Sequence, residues 1–250
     1  MSYQYSSNRL GGLTPVVKNL LIINILLFVI TYVYDYFFHV DLVHLLGLHY
    51  WKSPAFRPYQ VITYMFMHGG LMHIAFNMFA LFSFGNILEK VWGGKRFLIF
   101  YMITGIGAAA AQLLVAHFRL QSLYEQITPD NLAMVFSEGN NVLMGGQNYA
   151  DPAMGLFNEL LNVPTVGASG AIFGILVAFG MLFPNTELIL LFFPVPVKAK
   201  YAVIGYGVLE LFLGAANFSG DDVAHFAHLG GALFGFILVK YWQRNNKHFY

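Results

Sequence analysis

Apolar residues occur along this chain in long runs that are separated by shorter, more polar stretches. A helix needs about 20 mostly apolar residues to cross the hydrocarbon core of a membrane. Six runs approach that length, at residues 18–38, 70–91, 97–117, 167–184, 200–217 and 224–242. The pattern predicts an all-α membrane protein, a six-transmembrane-helix bundle that forms one membrane domain over residues 16–243.

The composition agrees with a membrane protein. Hydrophobic residues make up 58% of the chain and charged residues only 10%, whereas soluble domains carry about 25% charged residues. The net charge of +1 gives no reason to expect nucleic acid as a partner. There are no cysteines, which excludes disulfides and thiol chemistry. We therefore expect a lipid bilayer around the chain and no nucleic-acid partner.

The distribution of basic residues predicts the orientation, because cytoplasmic loops are enriched in Lys and Arg. If residues 1–15 are a cytoplasmic segment and residues 244–250 a cytoplasmic tail, the inside segments carry every basic residue except Lys52, Arg57 and Arg119. Residues 1–15 also lack a signal-peptide pattern. The sequence therefore predicts an integral membrane protein with both termini in the cytoplasm.

Two stretches between the runs are not predicted to span the membrane. Residues 118–166 are more polar and form an extended segment on the outside, where Thr128–Pro129 and Asp151–Pro152 are typical helix starts. The apolar segment Ile189–Val197 is interrupted by Pro194 and Pro196. We interpret it as an interfacial loop.

Polar residues cluster at the predicted outer ends of three spans. Such residues are costly inside a bilayer, so each cluster is a functional hypothesis. The first cluster contains His68, His73 and Asn77, and the last two are four residues apart on one helical face. Both can donate hydrogen bonds. Polar contacts between helices are the simpler alternative at this point.

The other two clusters gain meaning when they are taken together. Gly167-Ala168-Ser169-Gly170 opens the fourth span, and alone this serine would pass for a cap or a packing contact. His228, Gly231 and Gly235 form one stripe on the sixth span, opposite a small surface of Gly170 and Gly174. Close packing of the two helices would bring the serine to the histidine, which can then act as the base that a serine nucleophile needs.

An oxyanion hole needs hydrogen-bond donors where negative charge develops. The backbone N–H of Ser169, the ring of His73 and the amide of Asn77 are candidates. Three acidic residues lie near the two helices: Glu210, Asp221 and Asp222. None of them has an evident triad position. His225, one turn from His228, stays open as a rival base.

In this order and spacing, the three motifs resemble the rhomboid family of intramembrane serine proteases, and its bacterial members in particular. The resemblance covers residues 55–240 and includes Ala227-His228-Leu229-Gly230-Gly231 as the third motif. Arg57 and Glu89 also resemble family positions. Phe173 stands where some bacterial members have Tyr stacked on the histidine, and a phenyl ring can still stack there.

The resemblance implies a rhomboid-like architecture with a water-filled cavity open to the outside. It implies a serine endopeptidase that cleaves single-pass transmembrane proteins near the outer membrane boundary, in a bacterial inner membrane, without metal or cofactor. Ser169 would be the nucleophile and His228 the general base. His73 and Asn77 would stabilise the oxyanion, and His68 would support them. Four glycines would provide close packing: Gly167, Gly170, Gly231 and Gly235.

Three other functions are compatible with parts of the pattern. A catalytically inactive relative would bind or escort membrane proteins. A transporter would use the buried His, Asn and Glu210, but it would be expected to contain internal repeats, and none is found. A metalloprotease would be expected to carry His-Glu-x-x-His, which is also not found.

The segment from Ala216 to Asp222 is predicted to be a mobile lid over the site.

Overall fold

The computed structural model describes residues 12–190, 193–216 and 224–245, and almost all of this part is helical. The elements follow one another as α1 Pro15–Phe38, α2 Leu42–Leu46, α3 Gln60–Thr63, a 3₁₀ turn Tyr64–Phe66, α4 Leu71–Ala80, a π-helical turn Leu81–Gly85, α5 Asn86–Trp92, α6 Gly94–Tyr124, α7 Pro129–Met144, α8 Pro152–Asn162, α9 Ser169–Leu182, β1 Glu187–Leu190, β2 Phe193–Lys198, α10 Ala199–Ala216 and α11 His225–Asn245. The predicted lid, apart from Ala216, lies outside the described residues.

Within the described residues, four helical segments are long and apolar enough to cross a membrane: Pro15–Phe38, Leu71–Trp92, Gly94–Tyr124 and Ala199–Ala216. Large apolar side chains on them are exposed, as a lipid environment requires, and Leu26, Phe79 and Ile204 are examples. The α9 helix is apolar but has only 14 residues, about 21 Å at 1.5 Å per residue. The all-α membrane fold is confirmed, while the count of six spans stays a prediction.

The first span is tied to the second by one buried carboxylate. Glu89 on α5 accepts hydrogen bonds from the hydroxyl of Thr14 (2.6 Å) and the backbone N–H groups of Val16 (3.0 Å) and Val17 (2.8 Å). These are N–H groups that the first turn of α1 leaves without helical partners, and a negative charge there also suits the helix dipole. Glu89 thereby fixes where α1 begins and how it meets α5.

The segment after the third span forms a small helical unit. This unit lies at the same end of the bundle as the polar clusters. Both predicted helix starts are confirmed, because Thr128 and Asp151 are side-chain N-caps of α7 and α8. The α6 helix continues to Tyr124 instead of ending near residue 117, so its 31 residues reach about 46 Å. Its last turns share a second hydrophobic core with α7 and α8. We call this end of the bundle the α7–α8 end.

The segment after α9 differs from the prediction. In place of the predicted interfacial loop, β1 and β2 pair as an antiparallel hairpin, with Glu187 opposite Lys198 and Leu188 opposite Val197. The two prolines of the segment lie in β2. Proline cannot donate to a ladder, but β2 pairs with β1 alone in the described sheet and therefore tolerates it. The expectation that this segment does not span as a helix was correct.

Helices α6, α9 and α11 pack through small residues at the centre of the bundle. A Cβ added at Gly170 would lie 2.5 Å from the Cβ of Ala108 on α6, and one at Gly231 would overlap the carbonyl oxygen of Gly170. One turn further along, a Cβ at Gly235 would lie 2.8 Å from the Cα of Gly174. The glycine stripe predicted on α11 therefore meets the small surface predicted on α9, and the backbones of the two helices touch.

Candidate active site

Ser169 is the first residue of α9, and the backbone conformation that precedes it requires a glycine. Gly167 has φ +127°, a conformation that residues with a Cβ rarely adopt. Its N–H donates to the carbonyl of Tyr64 at 2.9 Å, and a Cβ on it would lie 2.7 Å from Nε2 of His73. The N-cap of α9 is Ala168, so Ser169 is not there as a cap. Its hydroxyl is left for a tertiary contact.

That contact is with His228. The Oγ atom of Ser169 lies 2.8 Å from Nε2 of His228, near the start of α11. The imidazole is buried, with 9% of the residue exposed, whereas Ser169 is only partly buried. A serine hydroxyl that donates to an imidazole nitrogen is the arrangement in which the imidazole can take its proton during nucleophilic attack.

Sequence reasoning left a carboxylate out of the site. Glu210 on α10 is buried, with 8% exposed, and its Oε2 lies 2.9 Å from Nδ1 of His228. The same oxygen lies 2.7 Å from Nδ1 of His225. The available signal was an acidic residue inside an apolar run, which is costly there and calls for a partner. Its partner on α11 cannot be deduced from spacing, since the two helices are separate in sequence.

His225 does not compete with His228 for the serine. The two rings are nearly perpendicular and their centroids are 6.4 Å apart. His228 is hydrogen-bonded to Ser169, while Nδ1 of His225 is directed at Glu210. The geometry therefore favours His228 as the base and gives His225 a contact with the carboxylate.

The first polar cluster lies beside the serine. The ring of His73 is next to Gly167, as the 2.7 Å approach to a Cβ on that glycine indicates. One turn along α4, Asn77 is buried, and its Nδ2 has no hydrogen-bond partner among the described residues. His68 is also buried, and its ring meets that of His73 edge-on at 5.1 Å. A buried donor without a partner is costly, and a site that binds an oxyanion supplies a reason for it.

His68 precedes the membrane-spanning segment that begins at Leu71. Burial, and secondarily the nearby His73, lowers the pKa of His68 to about 4. The ring is therefore neutral at physiological pH. Both of its nitrogens lack partners within the described part of the chain, which is consistent with a supporting place next to the donors.

A cavity of about 60 Å³ lies between α6, α8, α10 and α11, near the site. Its wall includes Gln112, Arg119, Gly214 and His225. A cavity of this size is large enough to hold water. It borders His225 and not Ser169, so the water-filled cavity expected at the serine stays a prediction.

Among the described residues, one group of side chains has metal-binding chemistry, and it includes His228 of the site. The carboxylate of Glu210 and the ring nitrogens of His225 and His228 offer ligand atoms within 4.8 Å of one another. Two imidazoles and one carboxylate can hold Zn²⁺. The two short hydrogen bonds to Glu210 already satisfy these same atoms, and the expectation of a metal-free site stays a prediction.

A comparison with protein families bears on this arrangement. The model of the rhomboid domain matches residues 55–244, which include every residue of the site described above. The chain belongs to the rhomboid family. Rhomboid is a family of the intramembrane serine protease type, and this membership confirms the family that the three motifs predicted.

Several curated rhomboid proteins resemble this chain. Rhomboid protein 1, mitochondrial, from Saccharomyces cerevisiae is 29% identical over 181 residues, which are 72% of this chain and 41% of that protein. Rhomboid-like protein 11, chloroplastic, from Arabidopsis thaliana is 27% identical over 220 residues, 83% of this chain and 60% of that protein. The human presenilin-associated rhomboid-like protein, mitochondrial, is 27% identical over 180 residues, 70% of this chain and 36% of that protein.

This rhomboid chain thus spans between about a third and three-fifths of the length of these relatives. The relatives are named as mitochondrial or chloroplastic, so the bacterial membership expected from the sequence stays a prediction. Membership in the family and the apolar helices together establish a multi-pass membrane protein in a lipid bilayer.

Proposed function

We propose that this rhomboid chain is an intramembrane serine endopeptidase that cleaves single-pass transmembrane proteins through Ser169 and His228. The observation that carries the proposal is the 2.8 Å contact between the serine hydroxyl and Nε2 of the histidine. The shortness of α9 adds support. A helix of about 21 Å does not reach across a hydrocarbon core of about 30 Å, so its first residue can lie below the membrane surface.

The contacts support the following reaction. The proton of Ser169 moves to Nε2 of His228 while Oγ bonds to the scissile carbonyl carbon, whose oxygen becomes an oxyanion. His73, Asn77 and the Ser169 N–H stabilise that charge. The C–N bond then breaks, the proton passes from His228 to the leaving amine, and an acyl-enzyme remains. Water attacks the ester with His228 again as the base, which releases the acid and regenerates Ser169.

The test uses the wild-type chain, Ser169→Ala and a matched Ser137→Ala control, because Ser137 is exposed on α7. Each is co-expressed with a panel of single-pass membrane proteins, and the products are sequenced. We expect cleavage by the wild type and the control and none by Ser169→Ala. A fluorophosphonate should label the wild type but not Ser169→Ala. Binding of panel proteins without cleavage or labelling would contradict the proposal and favour an inactive escort protein.

We also propose that the α7–α8 end faces the outside of a bacterial inner membrane and that both termini are cytoplasmic. The positions of Lys and Arg along the sequence support this orientation. Because the chain has no cysteine, single cysteines introduced by substitution can report the orientation. An impermeant maleimide added to whole cells should label Ser137→Cys on α7 and not Glu187→Cys on β1. The reverse pattern would contradict the orientation.

A further inference from the structure

Glu210 is a buried acid on α10, a helix whose other large side chains are mostly exposed. Its neighbours Val208, Leu211 and Phe212 are 63%, 55% and 62% exposed, whereas Glu210 is 8% exposed. A carboxylate removed from water costs free energy unless it is hydrogen-bonded. Polar residues of this kind within membrane helices mark functional sites by default. Its hydrogen-bond partners in the described part of the chain are two histidines of α11.

The hydrogen bonds of Glu210 determine which nitrogens carry protons. An ionised carboxylate only accepts hydrogen bonds, so Nδ1 of His228, 2.9 Å from Oε2, is the protonated nitrogen. The neutral ring then has a bare Nε2, and this is the atom 2.8 Å from the hydroxyl of Ser169. The carboxylate therefore selects the tautomer in which His228 can accept the serine proton.

We propose that Glu210 is a positioning residue for His228 and completes a hydrogen-bonded chain of Ser169, His228 and Glu210. This inference rests on the proposed function. When Nε2 takes the serine proton, the ring becomes a cation beside the carboxylate, which stabilises it. The Nδ1 proton stays on the ring and Glu210 stays ionised throughout, so no proton is transferred to the acid.

His225 has a part in the same arrangement. Its Nδ1 donates to the oxygen that His228 also uses, at 2.7 Å. Two donors on one oxygen restrict the rotation of the carboxylate and lower the cost of burying its charge. We infer that His225 holds Glu210 in place and supports the reaction through this contact.

The decisive measurement is the rate at which a fluorophosphonate labels Ser169, recorded from pH 5 to 9. Labelling forms an Oγ–P bond and releases fluoride while His228 takes the serine proton, so it reports the nucleophile without a protein substrate. The variants are Glu210→Gln, Glu210→Asp and His225→Asn. Glu125→Gln is the matched control, because Glu125 is exposed near the end of α6.

We expect Glu210→Gln to label at least about 100-fold more slowly, as loss of the acid in a triad does. The acid limb of its pH profile should move to lower pH, because the cationic ring has lost its stabilising charge. Glu210→Asp should regain part of the rate, and His225→Asn should lose roughly 3- to 10-fold. A purely structural role would lower the rate without moving the acid limb. Thermal melts of each variant identify misfolding, and the Asp variant keeps the test valid if the Gln variant does not fold.

Two outcomes would overturn the inference while leaving the protease intact. One is a Glu210→Gln variant that labels and cleaves at the wild-type rate with an unmoved pH profile. The other is that the purified chain contains one equivalent of Zn²⁺ and loses labelling when the metal is chelated. A metal on Nδ1 of His228 would take the place of the hydrogen bond to Glu210. Absence of labelling in the wild type would instead contradict the proposed function itself.

Discussion

The phenyl ring of Phe173 lies flat against the imidazole of His228. Their centroids are 4.3 Å apart and their planes differ by 7°. Phe173 is one turn after Ser169 on α9, so the same helix supplies the serine at the edge of the imidazole and a flat wall against its face. With Glu210 on Nδ1, the ring is fixed in its plane, in its tautomer and in its distance from the hydroxyl.

Removing the phenyl ring of Phe173 should weaken catalysis without abolishing it. An aromatic pair contributes about 0.5–1.5 kcal/mol beyond its buried area, which corresponds to about a 2- to 10-fold loss of kcat in Phe173→Ala. Phe173→Tyr keeps the ring and should stay within about 2-fold of the wild type. Cleavage kinetics of the three proteins check this. Equal rates for Phe173→Ala and the wild type would show that stacking does not hold the base.

The contact between α9 and α11 makes a second prediction. A methyl group at Gly231 would overlap the backbone oxygen of Gly170, and backbone cannot rotate away as a flexible side chain can. Overpacking of this kind typically costs about 1–3 kcal/mol. Gly231→Ala should therefore lower the melting temperature and, by forcing the helices apart, lower serine labelling by more than about 10-fold.

Gly207 on α10 provides the matched control for that substitution, because a Cβ there meets no atom within 4 Å. Alanine is a better helix former than glycine by about 1 kcal/mol, so Gly207→Ala should melt at the same or a higher temperature and keep its activity. If both variants behave alike in melting and labelling, close packing is not what brings Ser169 to His228.

The sequence predicted the parts of the site that follow from local motifs, helical spacing or facing small residues, and it did not predict the contact of Glu210 with His228. His73 with Asn77, and His228 with Gly231, follow the helical repeat and were recognised. Glu210 lies on a helix whose rotation relative to α11 has no signature in the spacing of its own residues. The same limit applies to the hairpin, since pairing of β1 with β2 depends on a turn that apolar periodicity does not encode.

Asn77 permits a test that separates stability from catalysis. Its Nδ2 is buried and has no partner within the described chain, so it contributes no hydrogen bond to the stability of the resting protein. Loss of one oxyanion donor costs about 100- to 1,000-fold in kcat. Asn77→Ala should therefore lose kcat with little change in KM, and its melting temperature should not fall.

The control for this prediction is Asn141→Ala on α7, where the asparagine is exposed. It should match the wild type in both kinetics and melting. A large drop in the melting temperature of Asn77→Ala, with kcat unchanged, would assign this asparagine to packing of the helices and not to an oxyanion hole.

The burial of His68 makes the stability of the protein depend on pH in a defined direction. Its folded pKa of about 4 is below the unfolded value of about 6.5, so the folded state resists protonation. The free energy of unfolding therefore has its full value above pH 6.5 and decreases as the pH falls from 6.5 towards 4. The total loss is up to ~3 kcal/mol.

The variant His68→Gln cannot gain a charge, so its free energy of unfolding should fall less over that pH range. Melting temperatures of the two proteins in detergent, from pH 7.5 to 4.5, should converge or cross as the pH falls, and parallel curves would contradict the burial of a neutral His68.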